Sequence, residues 1–308
     1  MRVLVTGGAG FIGSHVVDML VQNGHEVITV DNLSHGRREF INPAAQFIEA
    51  DVLDWRTWVD AVGAVDVVIH LAAQISVPVS EAHPETDVHQ NVLGTVAMLQ
   101  ATRHLGAREF RLASSAAVYG NDPDLPLAEH QKGHPLSYYG LDKWVAESYV
   151  DFEARTQGLI GTVLRLANVY GPRQRTAGEG GVIAVFAEAL AEGRRPEIYG
   201  DGEQTRDFVA VYDVARAFCF RLGESASGGV RNIGTETSVT INEVWGRLAT
   251  IAGLSDDSIT YGPERPGDIR HSLLDTKRAL AWGFAPQVSL DRGLEETFRY
   301  FRQEAEMR

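Results

Sequence analysis

The chain has 308 residues, enough for two domains of about 150 or for one elaborated unit. Hydrophobic residues make up 44% and charged residues 22%, the balance of a globular protein, which excludes global disorder. With 28 basic against 41 acidic side chains the net charge is −13, which disfavours nucleic-acid or anionic-membrane binding by bulk electrostatics and leaves any anionic ligand to local basic groups and backbone amides.

From the N-terminus, apolar runs alternate with amphipathic stretches. Strands are predicted at Arg2–Thr6, Glu26–Asp31, Gln46–Asp51, Asp66–Ala73, Glu109–Ser115 and Gly161–Ala167. Most are apolar at successive positions, as strands buried on both faces are. Helices are predicted between them at Phe11–Asn23, Trp55–Val62, Val88–Leu105 and Tyr139–Thr156. This order predicts an α/β fold, a doubly wound parallel sheet with helices on both faces. Residues 171–181 are loop by composition. Shorter elements follow: a helix near Val182–Glu192, an apolar segment Asp207–Leu222, a strand Val230–Ile233, and helices near Ile241–Ala252, Thr276–Trp282 and Leu290–Glu304. The change of rhythm predicts one lobe over 1–170 and a smaller one over 171–308, with 205–235 able to return to the first. No apolar run reaches the ~20 residues of a membrane span, and the early glycines leave no room for a signal-peptide core. The single cysteine, Cys219, excludes intrachain disulfides and multi-cysteine metal sites. A soluble cytoplasmic protein is expected.

The segment Gly7-Gly8-Ala9-Gly10-Phe11-Ile12-Gly13 follows the first strand and opens the first helix. Glycines there permit a tight turn and let a pyrophosphate approach the amides of a helix N-terminus, where the partial positive charge favours an anion. The second strand ends in Asp31-Asn32, near the ~20-residue spacing expected of a ribose-binding acid. Asp31 would accept hydrogen bonds from the ribose and repel a 2′-phosphate, so NAD is expected over NADP. Asp51 and Val52 end the third strand and could hold the adenine, although Asp51 also suits a helix N-cap. Leu71-Ala72-Ala73 ends the fourth, small enough for a cofactor to lie close.

Tyr139 and Lys143 stand at i and i+4, on one helix face. A free phenol titrates near ~10; a neighbouring cation stabilises the phenolate and makes Tyr139 a usable base. Alone, this spacing is also that of a surface pair. Composition sharpens it: only three lysines (Lys132, Lys143, Lys277) occur among the 28 basic residues, so a retained lysine points to a need for a compact charge. Ser114-Ser115 ends the fifth strand, where a hydroxyl could orient a substrate oxygen or simply begin a turn.

In that order the chain carries Gly7–Gly13, Asp31-Asn32-Leu33, His70–Ala73, Asn91–Thr95, Ser114–Gly120, Tyr139–Lys143, Arg165–Pro172, Arg206–Val209 and Arg265–Asp268. It resembles the extended short-chain dehydrogenase/reductases over essentially its whole length, and among them most the family of UDP-glucose (UDP-galactose) 4-epimerases. The resemblance implies a Rossmann-type lobe binding NAD, a C-terminal lobe binding a UDP-sugar, and a homodimer paired through the helices near Val88–Leu105 and Tyr139–Thr156. Those helices carry apolar residues beyond one stripe (Val92, Val96, Leu99; Trp144, Val145, Val150). By position it implies Ser115, Tyr139 and Lys143 as the catalytic trio and Asn91 as a residue near the serine and the cofactor. It implies Asn168, Val182, Arg206, Arg265 and Asp268 at the substrate, the two arginines on its diphosphate. Ser272 falls where related epimerases wall the sugar pocket, and a small residue there implies room for N-acetylated sugars; a shift of one residue would bring His271 to the wall instead.

Sugar-nucleotide 4,6-dehydratases and decarboxylases share the trio but need a further acid or base. In the dehydratases a Thr-Asp/Glu pair follows the serine strand; here Ala116-Ala117 stands there and cannot move protons. A non-enzymatic NAD sensor on the same fold would not need the Tyr139–Lys143 pair. His130 and His134 lie in a Pro- and Gly-containing stretch unsuited to a helical metal pair, and neither a Gly-x-Ser-x-Gly elbow nor a Walker loop occurs. No metal is expected.

Overall fold

In a computed structural model the chain is described over residues 1–176, 180–254, 259–264 and 269–307. Its strands are β1 (Arg2–Thr6), β2 (Glu26–Asp31), β3 (Gln46–Glu49), β4 (Val67–His70), β5 (Glu109–Ser115), β6 (Ile160–Leu166), β7 (Asn168–Tyr170), β8 (Glu197–Tyr199), β9 (Thr205–Ala210), β10 (Gly229–Ile233), β11 (Ser238–Thr240) and β12 (Thr260–Gly262). Its α-helices are α1 (Phe11–Gln22), α2 (Trp55–Val62), α3 (Val77–Ala82), α4 (Pro84–Asp87), α5 (Gly94–His104), α6 (Tyr138–Gln157), α7 (Val182–Ala191), α8 (Val211–Cys219), α9 (Ile241–Ala252), α10 (Lys277–Trp282) and α11 (Leu290–Met307). Seven strands form one sheet in the order β10-β6-β5-β4-β1-β2-β3. Every neighbouring pair in it is parallel.

The apolar run of β1 shows why the sheet is covered twice. Side chains alternate across a strand. Val3 and Val5 join a core with Val16 and Leu20 of α1 and Phe218 of α8, whereas Leu4 joins one with Trp58 of α2, Met98 of α5 and Val150 of α6. Both faces are therefore dry, which accounts for the lack of alternation in the sequence. At the N-terminal end of β5 a fully buried pair, Arg111 Nε to Glu109 Oε1 at 2.6 Å, ties the sheet to α8. The guanidinium donates to the Phe218 and Phe220 carbonyls at 2.9 and 2.8 Å. Burial of these charges is tolerable because each is paired.

A third core, with Phe186 of α7, Trp245 and Leu248 of α9 and Phe298 of α11, lies against the three-stranded sheet β11-β9-β7. β10 leaves this region and lies parallel to β6 at the edge of the large sheet, Gly229 opposite Thr162. The apolar segment Asp207–Leu222 divides into strand β9 and helix α8, because a short apolar run carries no period by which to tell the two apart. The helix predicted from Val88 starts as π-helix over Val88–Leu93 and continues as α5. β4 stops at His70, so Leu71–Ala73 leave the sheet as a loop at its C-terminal edge.

Candidate active site

The glycine turn after β1 is shaped by close approaches. Gly7 has φ 71° and a Cβ on it would lie 2.7 Å from the Ala72 amide; one on Gly13 would meet the Gly7 carbonyl at 2.0 Å. Only hydrogen fits at either place. The N-cap of α1, Gly10, offers no side chain to the first-turn amides, so this helix end faces a cleft with donors available to an anion. Asp31 ends β2 with Oδ2 accepting from the Ala9 amide at 3.0 Å and Oδ1 from the Leu33 amide at 2.8 Å. Burial pushes its carboxyl above the usual range while these bonds oppose it. Lone pairs remain on both oxygens for hydroxyl donors. Asn32 donates to Asp51 Oδ2 at 2.9 Å, and Asp51 Oδ1 accepts the Leu53 amide at 2.9 Å, so Asp51 both orders the turn into α2 and anchors Asn32.

These residues wall a cleft of about 580 Å³ across the C-terminal ends of the strands, where doubly wound sheets take their ligands. Gly7, Gly10, Phe11, Ile12, Gly13, Asp31, Asn32, Asp51, Val52, Leu71, Ala72, Ala73, Tyr139 and Lys143 all line it. Asn91 does not. It is buried behind the wall, its amide accepting from the Gln74 amide and donating to the Gln74 carbonyl, each at 3.0 Å. The glycine turn, the Asp31 carboxylate and the cleft between them fit a dinucleotide.

Tyr139 is held by the first turn of α6. Ser137 caps that helix, its hydroxyl accepting from the Gly140 amide at 3.1 Å, and the Tyr139 amide donates to Ser80 Oγ at 3.1 Å. A Cβ on Gly140 would lie 2.6 Å from the Ala117 carbonyl, so α6 seats directly on the turn that follows Ser115. One turn on, Lys143 is buried, with Nζ 5.8 Å from the Tyr139 ring centre and donating to the Ala113 carbonyl at 3.2 Å. Burial pushes its ammonium down to about 8, against the pull of Asp87, Glu147 and Asp142. His70, fully buried and pushed down to about 3, contributes a neutral ring hydrogen-bonded to Thr6 Oγ1 at 2.7 Å.

The two serines differ. Ser114 lines the cleft, but its hydroxyl donates to Glu147, which also takes a bidentate contact from Arg165, Nη2 to Oε2 at 2.7 Å. Ser115 is half-buried and accepts from the Ala117 amide at 3.1 Å, which leaves its own proton to donate.

Of the residues expected at the substrate, Asn168, Val182, Arg206 and Ser272 stand outside this cleft, on the small sheet and its flank. Asn168 is exposed on β7, which pairs with β9, and Arg206 on β9 is half-buried with Nη1 donating to the Thr205 carbonyl at 2.9 Å. The Ser272 amide donates to that same carbonyl at 3.2 Å, which brings Ser272 beside Arg206; His271 Nδ1 is 3.0 Å from Thr205 Oγ1. Val182 is the half-buried first residue of α7. Arg265 and Asp268 lie outside the described residues. The cleft wall also includes Gly36, Arg173, Gln174 and Arg175, which the sequence did not single out. Gly36 fits tightly, since a Cβ would lie 2.9 Å from Asp31 Oδ1. Arg173 pairs with Asp18 at 2.8 Å and supplies positive charge in an acidic protein. Among the described residues no group of three or more His, Cys, Asp or Glu could hold a metal, and no helix is long and apolar enough to cross a membrane.

Comparison with known proteins agrees with this geometry. The chain is 41% identical to the UDP-glucose 4-epimerase of Mycolicibacterium smegmatis over 319 residues, covering 99% of this chain and 100% of that one. It superposes with a TM-score of 0.94 on the UDP-glucose 4-epimerase of Thermotoga maritima solved with UDP-glucose, at 43% identity and 99% coverage of both chains. It also matches a UDP-N-acetylglucosamine 4-epimerase of Methanobrevibacter ruminantium solved with UDP-N-acetylmuramic acid, with a TM-score of 0.93, 36% identity and 98% coverage of both. With the pattern of the family matching residues 3–234, the chain belongs to the NAD dependent epimerase/dehydratase family.

Proposed function

We propose that this chain inverts the 4-hydroxyl of a UDP-hexose by way of a transient 4-keto sugar, with UDP-glucose and UDP-galactose as the primary pair. The observation that carries the reading is the Tyr139–Lys143 pair in the wall of the dinucleotide cleft, seated through Gly140 on the Ser115 turn. Bound in that cleft, NAD supplies a reversible acceptor for the hydrogen at carbon 4. The protein handles the proton: Tyr139 takes it from the 4-hydroxyl as a phenolate stabilised by the Lys143 ammonium, and Ser115 holds the same oxygen by donating to it. The reverse step returns the proton from Tyr139 after the keto sugar has presented its other face. Asn168, Val182, Arg206, Arg265, Asp268 and Ser272 form the substrate side, with arginines on the diphosphate. Residues 1–170, with the cleft-lining residues 173–175 and with α8 and β10 returning to the large sheet, carry the cofactor, and the other elements of 171–308 carry the sugar nucleotide. Ala116 and Ala117, in the short 3₁₀ turn after Ser115, put methyl groups where elimination would need an acid or base, which favours epimerisation over 4,6-dehydration.

A homodimer in the cytoplasm completes the proposal. The face for it is a row of exposed apolar side chains, Leu141, Trp144, Tyr149 and Phe152 of α6 with Val88 and Leu93 of the neighbouring π-helix. Of the apolar residues noted in the sequence, only Trp144 belongs to that row. Val92, Leu99 and Val150 are buried inside the protein, and Val96 and Val145 are half-buried. Light scattering at micromolar concentration should give twice the chain mass; a monomer rejects the dimer.

The decisive assay incubates the purified protein with UDP-glucose, UDP-galactose and their N-acetyl forms, without added cofactor, and identifies the sugars formed. Interconversion of 4-epimers with no net NADH is expected; a dehydrated or decarboxylated sugar would sink the assignment. Two variants refine it. Asp31→Ala removes the ribose acceptor and the charge that repels a 2′-phosphate, so the preference for NAD over NADP should shrink by about tenfold or more. Unchanged discrimination would count against Asp31. Ser272→Tyr should fill the space an acetamido group needs, cutting turnover of the N-acetyl sugars far more than that of UDP-galactose. Equal losses on both would show that the wall lies elsewhere.

A further inference from the structure

Two buried carboxyl groups sit beside Lys143 without enough donors. Asp87, the last residue of α4, is fully buried, and Asp142, next to Lys143 on α6, is 3% exposed. Asp87 Oδ1 accepts from Gln74 Nε2, while Asp87 Oδ2 and Asp142 Oδ2 find no donor. The two carboxyls are within hydrogen-bonding reach of each other, which pushes Asp142 up to about 7 by burial together with the Asp87 charge. Two like charges this close and this dry oppose each other, so the proton that Asp142 keeps up to about pH 7 can be given by one carboxyl and accepted by the other.

Besides the Tyr139 ring, 5.8 Å from its Nζ, Lys143 has few other partners. Glu147 also pulls on the ammonium, but its charge is shared with Arg165 and the Ser114 hydroxyl. His70 faces it as a neutral ring, and the Ala113 carbonyl is a dipole only. The remaining charged groups on the elements packed against α6 are turned to water or paired with one another: Glu81 of α3, His83 and Glu85 at α4, and His89 of the π-helix are exposed, and Arg103 of α5 pairs with Glu153 of α6.

We propose that Asp87 and Asp142 are positioning residues that share a proton and act as a variable counter-charge for Lys143. Below neutrality the pair carries one negative charge. As pH rises it gives up the shared proton and carries two, and the second charge holds the ammonium where burial alone would discharge it. The alkaline limit of the reaction is thereby extended. This rests on the role given to Lys143 above, but its test does not.

With only three lysines in the chain, ¹³Cε-labelled lysine gives three signals, and Lys143→Met assigns the buried one. The titration of Lys143 is followed on NAD-free protein in the wild type, in Asp142→Asn and in Asp87→Asn. Asparagine keeps the shape and the Gln74 contact while limiting the site to one negative charge. The Lys143 midpoint should fall by about one pH unit in each variant, the size expected for one charge within about 12 Å at an effective dielectric of about 20. Midpoints unmoved in variants with wild-type circular dichroism overturn the proposal. A midpoint that moves while the pH dependence of turnover does not would uphold the counter-charge and count against the catalytic role of Lys143.

Discussion

Replacing Tyr139 by Phe should lower turnover of UDP-galactose by about 10³-fold, within the range by which a positioned acid or base accelerates a reaction, while NAD still co-purifies with the protein. The substitution removes one oxygen and leaves the ring. The helix start does not depend on that oxygen: it is fixed by the Ser137 cap, the Tyr139 amide on Ser80 Oγ and the contact of Gly140 with Ala117. The glycine turn proposed to cradle the pyrophosphate, Gly7, Gly10 and Gly13 in the same cleft wall, is untouched. Loss of turnover with NAD retained is therefore a loss of proton transfer. Turnover within tenfold of the wild type would remove Tyr139 from the reaction, and loss of NAD with the activity would make its role structural. A protein that merely sensed NAD would show neither change.

What the sequence made legible follows from where the constraint is local. Continuous apolar runs such as Val3–Val5 and Val67–Ile69 announced strands buried on both faces, and the order of strand and helix left the parallel sheet as the economical topology. Tyr139 and Lys143 could be read as one unit because a helix brings i and i+4 together whatever surrounds it. Strands of three residues, β7, β8, β11 and β12, are too short to print a period, and β9 was hidden because its apolar residues run straight into α8. Long-range pairs left no trace. Arg173 sits in a stretch that composition marks as loop, yet it reaches Asp18 on α1. Asp207 looked like one acid at the head of an apolar segment. It is buried, accepting from the Thr235 amide at 2.8 Å and its hydroxyl at 2.7 Å, and so fastens β9 to the chain that leaves β10. Asn91 carried a motif but no partner in sequence; only the fold shows it gripping Gln74 behind the cleft wall.

Lys143→Met should abolish turnover, by 10³-fold or more, and at the same time stabilise the NAD-free protein at neutral pH. Both effects come from burial. An ammonium pushed from 10.5 down to about 8 is held in a place it would not choose, at a cost of about 3 kcal/mol whenever it is charged. Methionine fills similar volume without the charge, so the variant escapes that cost, less whatever Asp87 and Asp142 lose with their counter-charge. The pH dependence gives the test its direction. Below about 8 both folded and unfolded wild type carry the proton and the penalty is complete. Between about 8 and 10.5 the unfolded chain binds more protons at this site than the folded one, so wild-type stability rises with pH and the advantage of the variant shrinks. Urea denaturation at pH 7 and at pH 10 should show a gain of about 2–3 kcal/mol at the lower pH and little at the higher. A variant less stable than the wild type at pH 7 would mean that the charge supports the fold through Asp87, Asp142 and Glu147. A gain without loss of turnover would mean that the buried ammonium is not what makes Tyr139 a base.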